Sequence, residues 1–349
     1  MTLETLAEIG HEFNNPRFSV TVAGTEYEET TGLITAVTVD RSIDGADHFS
    51  LSIGTRFDYE DASFRDFDWD DFAVGDPVAI SIGYGATLTQ VFSGKITDQS
   101  TDFPAGGPPT IGISGYGQYH ELTTDVVEEQ WEEMTDAAIA EAIAAEYDLV
   151  ADVDATPIER EKVEVEHDSD AAFLEEKLAG RNDEGTGPFE VFARLDELVF
   201  RAPRDDRDPE LELTWGESLQ SFSPELTDAQ TPASIEVHHW DPTGKHEIVG
   251  VAEHDTGSGR RVIRRPVRSE AEAEELANAF LREAENERLQ GTGTTIGLPE
   301  IEIGEPIELS GLGDRFSGTY YLETVTHSVN GNGFRTDFSV REARAGVLT

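Results

Sequence analysis

The sequence predicts a mainly β protein of the α+β class, with two β-rich stretches separated by a small α+β segment. Three observations carry this prediction. Apolar and polar residues alternate with period two in many runs of five to eight residues. Gly-, Pro- and Asn-containing turns separate those runs. Helical spacing of apolar residues is confined to a few short segments.

Residues 1–17 read as an N-terminal arm, helical or extended, ending near Pro16. Phe18-Ser19-Val20-Thr21-Val22 begins the alternation, and Gly24-Thr25 turns the chain. Further strands are predicted over 33–40, 47–53, 77–84, 90–97 and 109–115. Short strands at this spacing make 18–118 an antiparallel sandwich or barrel. Near residue 118 the pattern changes. Residues 131–147 read as a helix capped by Thr135-Asp136, with Ile139, Ile143 and Tyr147 on one face. The acidic stretch 150–165 reads as partly extended. Ser169-Asp170 then caps an amphipathic helix that buries Phe173, Leu174 and Leu178 and ends at Gly180. A hairpin over 189–201 turns at Leu195-Asp196, which makes 119–204 a small α+β insertion domain.

The run Asp205-Asp206-Arg207-Asp208-Pro209 reads as a linker. The second β-rich region, 205–349, is predicted to hold strands over 210–214, 219–224, 234–240, 294–298 and 306–309. One helix over 269–289 interrupts it, with Leu276, Phe280, Leu281, Ala284 and Leu289 on its apolar side and Gly291-Thr292-Gly293 as its stop. The chain closes on a hairpin, in which Tyr320, Leu322, Val325 and Val329 face Phe334, Phe338 and Val340 across Asn330-Gly331-Asn332-Gly333. The two β regions are alike in length and texture, although no residue-level repeat is visible.

Composition narrows the function. The chain has 349 residues and no Cys, which excludes disulfides and Cys-based metal or redox chemistry. No apolar run approaches the ~20 residues of a membrane-spanning helix. The start Met1-Thr2-Leu3-Glu4 carries no secretory signal, so the expectation is a protein made in the cytoplasm and exported, if at all, within a particle. The net charge is -47, with acids spread along the chain and Lys confined to Lys95, Lys162, Lys177 and Lys245. An acidic surface for a basic partner or for divalent cations is one reading. A high-salt cytoplasm is the other, because molar salt screens repulsion within ~3 Å. Scattered acids and scarce Lys favour the latter, in a halophilic archaeon or a phage infecting one. Such a surface speaks against nucleic acid as a partner.

Four clusters are candidates for function. His238 and His239, with His246 and His254 nearby, suggest a metal, but adjacent strand residues point to opposite faces and cannot share one ion. No metal or other cofactor is therefore expected. Residues 58–71 hold seven carboxylates interleaved with aromatics and no Gly, which fails the Ca²⁺-loop pattern. The better reading is a surface arm anchored by Phe64, Phe67, Trp69 and Phe72, or an inter-subunit arm. Arg260, Arg261, Arg264, Arg265 and Arg268 form one basic island, suited to a neighbour's carboxylates or to local pairing. Enzyme signatures are absent: there is no HExxH, no G-x-S-x-G and no P-loop, and Gly291-Thr292-Gly293 follows a helix rather than a strand.

Three landmarks together resemble the late control D and tail-hub family of contractile phages and injection systems. They are Ser169-Asp170-Ala171-Ala172-Phe173-Leu174 with its following hairpin, the stretch from Ser234 through Trp240-Asp241 to Lys245, and the hairpin containing Gly318-Thr319-Tyr320-Tyr321, His327 and Val340-Arg341. The resemblance spans residues 169–341. It implies two tail-tube-like antiparallel β-barrel domains flanking the insertion. It further implies a homotrimeric baseplate hub that adapts a hexameric inner tube to a trimeric spike and lines the lumen. The partners would be further copies of itself, the inner tube protein, baseplate wedge proteins and, since the chain stops at Thr349, a spike encoded separately. No direct insertion into a membrane is expected. Trp240, Tyr320, Tyr321, Phe67, Trp69 and the Arg island are the expected packing and interface residues. Other readings are a tail-associated glycan hydrolase, using a carboxylate pair, and a β-rich carbohydrate-binding module.

Overall fold

The computed structural model describes residues 13, 15–181, 189–226, 232–241, 244–254, 257–267, 269–286 and 289–343. Nearly all of the predicted arm lies outside the described residues. Where the arm becomes visible, Phe13 packs edge-on against Tyr84, with ring centroids 5.1 Å apart.

The first β region contains β1 (Pro16–Val22), β2 (Thr25–Glu28), β3 (Ile34–Ser42), β4 (His48–Ile53), β5 (Arg56–Asp58), β6 (Ser63–Arg65), β7 (Pro77–Tyr84), β8 (Thr87–Asp102) and β9 (Thr110–Gly117). Alternation decides which side chains go inward: Val37, Val39, Phe49 and Leu51 are buried while Thr38 and Ser50 face out. Ala23 and Gly24 both take positive φ, giving the tight turn that joins β1 to β2.

The middle segment has α1 (Glu121–Thr124), β10 (Val127–Thr135), α2 (Asp136–Glu146), β11 (Val150–Val153), β12 (Glu159–Asp168), α3 (Asp170–Ala172), β13 (Glu190–Arg194) and β14 (Glu197–Arg201). The helix expected over 131–147 begins five residues later. Thr135 accepts a hydrogen bond from the Ala138 amide (3.1 Å), and the residues before this cap are strand β10, paired with β12 through Trp131 and Val163. Tertiary pairing here overrides local helical spacing. Ser169 caps α3 as expected, and the helix runs on through a π turn, Phe173–Leu178. Leu195, at positive φ, turns the β13–β14 hairpin. Ile139, Ile143, Phe173, Leu178 and Phe200 share one core.

The remainder comprises β15 (Leu211–Thr214), β16 (Leu219–Leu226), β17 (Ser234–Asp241), β18 (His246–Glu253), β19 (Arg260–Arg264), α4 (Glu270–Asn286), β20 (Leu289–Ile296), β21 (Pro306–Ser310), β22 (Gly318–Asn330) and β23 (Gly333–Glu342). Two expectations are corrected here. Leu289 belongs to a strand and not to the helix; it pairs with Leu226. Gly291 and Gly293 do not stop a helix but lie inside β20, where a Cβ would meet the rings of Phe222 at 2.5 Å and Phe338 at 2.3 Å. The expected linker is also part of the packed body at its first residue, since Asp205 is fully buried and accepts from Arg341 at 2.9 Å.

The two β regions are not separate sheets. One sheet runs β16-β20-β23-β22-β3-β4-β9-β8-β7-β1-β2, with β21 and β15 added beside β22. The join is antiparallel, between β22 and β3, from Thr324 opposite Ser42 to Val329 opposite Val37. Two cores lie under it, one centred on Phe49, Phe92 and Ile113, the other on Leu309, Val325 and Val340. A smaller sheet, β18-β17-β19, packs one face on α4 over Ile235, Val237 and Leu281. Among the described residues no helix is long and apolar enough to cross a membrane.

Candidate assembly surfaces

The outward face of the long sheet is paved with hydroxyl groups. Inward positions of its strands are Val, Ile, Leu and Phe, so period two leaves Ser and Thr on the other side. The strand register then lines them up in rows. Ser339 stands opposite both Thr292 and Thr324, and Thr324 opposite Ser42. Ser328, Thr38, Ser50 and Ser114 form a second row across the join between the halves. Some charges on this face are tied down: Asp337 accepts from Thr294 (2.6 Å) and pairs with Arg335 (3.1 Å), and Asp40 accepts from Thr326 (2.7 Å), while Glu225 is exposed at the side of one trough. Two shallow troughs of about 300 and 570 Å³ run over it, both lined by Ser223, Thr292 and Ser339. Sequence reading did not single out this face. Its only signal is the Ser/Thr alternation, which carries meaning once the register stacks the rows.

The acidic aromatic segment folds back as the β5–β6 hairpin. Arg65 Nε donates to Asp58 (2.8 Å), and Asp58 also accepts from the Glu60 amide at the turn (2.9 Å). Phe67 stacks on buried Phe72 (5.6 Å) and meets Trp69 edge-on (5.0 Å), so both are anchors packed on the first core. The exposed end of the stripe is elsewhere: Tyr59 is 73 % and Phe103 62 % exposed, and both lean on Phe57.

Arg260, Arg261 and Arg264 of the Arg island lie on strand β19, parallel to β17 at the edge of the small sheet, and Arg265 follows the strand in a hollow also lined by Glu164 and Glu176. Arg260 bonds Glu236 at 2.9 Å, whereas Arg261, Arg264 and Arg265 have no ion-pair partner among the described residues. Arg268 lies outside them. Trp240, on β17, is 60 % exposed. His238 sits between Glu236 and Glu247, 2.9 Å from each, and those hydrogen bonds raise its pKa. The β17 strand turns His239 to the other face, and a protonated His238 has no lone pair for a metal.

Tyr320 and Tyr321, expected as packing and interface residues, are buried inside the chain. Tyr320 donates to the Phe316 carbonyl (2.8 Å) and Tyr321 to Glu190 (2.6 Å). Tyr321 lies at the junction of the α+β segment with the long sheet, under the Arg341 guanidinium (4.4 Å). Nearby, fully buried Arg201 donates to the Gly304 carbonyl (2.6 Å) and to Glu305 (3.3 Å). At the join of the halves Arg41 holds Asp47 and Glu302. Burial is the largest influence on Glu190 and Asp47, pushing them up to about 7 and about 6.

This architecture, one long antiparallel sheet with an α+β segment and a small helix-backed sheet, is a known tail-protein fold. The structure is similar to the prophage MuSo2 43 kDa tail protein of Shewanella oneidensis, with a TM-score of 0.76 at 14% identity over 93% of this chain and 98% of that one. It is similar to a tail protein of Neisseria meningitidis MC58, with a TM-score of 0.70 at 15% identity over 94% and 96%. A third similar structure is the E. coli c3393 protein, described as a type VI secretion system component resembling T4 bacteriophage tail proteins gp27 and gp5; its TM-score is 0.56 at 14% identity over 90% and 76%. The chain belongs to the Alg8 N-terminal domain family, whose model matches residues 13–261 and 261–331. No curated protein matches it.

Proposed function

We propose that the chain is the structural hub of a contractile tail or injection-system baseplate, as its likeness to late control D proteins implied. In this reading three copies close a ring. Their β halves, 18–118 and 205–349, present six similar units to a hexameric inner tube, and the opposite face receives a trimeric spike. Wedge proteins surround the ring, and the assembled particle is where the protein works. The role is assembly, with no reaction to catalyse.

The observation that carries this reading is the single sheet running through both halves with a hydroxyl-paved face. A tube wall needs a backbone without an open seam, because unpaired strand edges invite adventitious pairing. A lumen also needs a surface that does not hold what passes. Small hydroxyls hydrogen-bond water and offer neither an apolar patch nor dense charge. The hydroxyl face is accordingly assigned to the lumen. The tail and secretion-system descriptions of the similar structures support the same reading.

Mass measurement in molar salt is the direct test. The expected result is a species of three times the monomer mass that co-purifies with the inner tube and spike proteins. A stable monomer that binds neither would overturn the proposal.

A further inference from the structure

The turn of the closing hairpin carries a chemistry that the assembly role does not use. Gly follows two of the chain's Asn residues, Asn330 and Asn332, and both lie in this turn. Asn-Gly is the pair in which a side-chain amide turns most readily on its own backbone, because Gly places no Cβ in the way of its nitrogen. Both Asn residues are exposed. The register nevertheless makes them unequal. Asn330 and Gly333 form the closing pair around Gly331 and Asn332. Such a pair exchanges both backbone hydrogen bonds, so the Gly333 amide is committed to the Asn330 carbonyl. The Gly331 amide lies in the turn and has no backbone partner among the described residues. A Cβ on Gly331 would meet nothing within 4 Å, so the space around it is open. Finally, the Asn330 side-chain oxygen Oδ1 accepts a hydrogen bond from the Asn332 amide at 2.9 Å.

From these contacts we propose that Asn330 is a site of spontaneous deamidation, with the Gly331 nitrogen as nucleophile. Gly331 N, having lost its proton, attacks Asn330 Cγ, and an N–Cγ bond forms. The negative charge passes to Oδ1, where the Asn332 N–H already points. A donor aimed at the oxygen that gains charge favours the tetrahedral intermediate over the starting amide. The Cγ–Nδ2 bond then breaks and ammonia leaves, its third hydrogen replacing the proton that Gly331 gave up. The product is a five-membered imide. Water opens it at one carbonyl to give aspartate, or at the other to give isoaspartate, in which the main chain runs through the side chain. No oxidant, cofactor or enzyme enters the balance. Asn332 lacks both advantages, since its nucleophile would be the ladder-bound Gly333 amide. The isoaspartyl product adds one methylene to the backbone at the closing pair. The next pair inward is Val329 with Phe334, 4 % and 9 % exposed and part of the first core. Conversion therefore loosens the end of β22 that joins the two halves. The reaction belongs to the single chain and does not rest on the hub reading.

Peptide mapping by mass spectrometry tests this on the full-length protein, incubated at pH 8 in molar salt. Conversion at Asn330 should run about fivefold ahead of Asn332, the worth of one net hydrogen bond. In urea, where the ladder and the Asn332 contact are lost, the two rates should converge. Equal rates in the folded chain, or Asn332 ahead, would overturn the assignment. So would an intact Asn330 in folded protein over the time in which the urea-unfolded chain converts. Gly331→Ala adds a methyl group in open space at a residue outside the left-handed region, so the fold should keep its circular dichroism. The same variant should slow conversion at Asn330 about tenfold, because the methyl group hinders the nucleophile; an unchanged rate would remove Gly331 from that role. N330D carries the new charge without the extra methylene. The isoaspartyl fraction should exchange the Val329 and Phe334 amide protons faster than N330D does, and equal exchange would refute the effect on the join.

Discussion

Replacing Glu190 by Gln tests how the α+β segment is fastened to the long sheet. The carboxylate is buried, accepts from Tyr321 at 2.6 Å and stands 3.8 Å from Arg341. Burial outweighs these attractions and raises its pKa from 4.5 to about 7. Below pH 4.5 the group is protonated in both folded and unfolded chains and contributes nothing to the balance. Between 4.5 and about 7 the unfolded chain gives up its proton first, so stability falls as pH rises. Above 7 the loss is complete. At about 1.4 kcal/mol per pKa unit this interval amounts to about 3 kcal/mol. Gln keeps an acceptor for Tyr321 and does not ionise, and Arg341 retains Asp205 at 2.9 Å. Urea unfolding in fixed molar salt, followed by Trp fluorescence from pH 5 to 8, measures the effect. Relative to the parent, E190Q should gain about 2.5 kcal/mol between pH 5 and pH 8, the first part of the interval lying below pH 5. Asp47, also raised, titrates in both proteins and cancels in the difference. Parallel pH profiles would refute the argument. A variant that loses ground as pH rises would show instead that the Arg341 ion pair outweighs burial.

Three further outcomes follow from the same geometry. Arg41→Met strands Asp47 and Glu302 at the join of the halves and should cost about 3–5 kcal/mol in urea unfolding, with most of the loss recovered by adding D47N and E302Q. Gly250→Ala pushes a methyl group into the Ala273 backbone and should cost about 1–3 kcal/mol, with faster amide exchange in α4 than in the long sheet; unchanged exchange would count against the tight packing described. Dialysis into dilute buffer removes the screening of a net charge of -47 and should diminish the circular dichroism signal or dissociate the oligomer, whereas full retention of both would contradict the high-salt reading.

Much of the fold was legible residue by residue. Alternation at Phe18–Val22 and across the closing hairpin located strands, and Ser169 and Thr135 marked helix starts, because these signals act over one turn of chain. Errors arose where distant residues decide. The 131–135 segment became strand because Val163 and its neighbours pair with it. Gly291 and Gly293 resembled a helix stop, but their glycines make room for Phe222 and Phe338. Of the candidate surface, Trp240 and the Arg island were visible as residue types, and the aromatic arm as a pattern. Tyr320 and Tyr321, expected as packing and interface residues, pack at a junction inside one chain, a distinction that aromatic content alone does not make.

The sequence by itself determined a mainly β chain, the absence of Cys chemistry, a strongly acidic composition and most strand positions. Each follows from composition or from period-two alternation, which are local properties. Only the tertiary structure decided that β22 and β3 merge two β regions into one sheet, that its hydroxyl rows line up, and that Arg41, Arg201 and Arg341 are buried clamps rather than surface charges. Those outcomes depend on register and burial, which are set by pairings between residues far apart in the chain, and no local pattern encodes them.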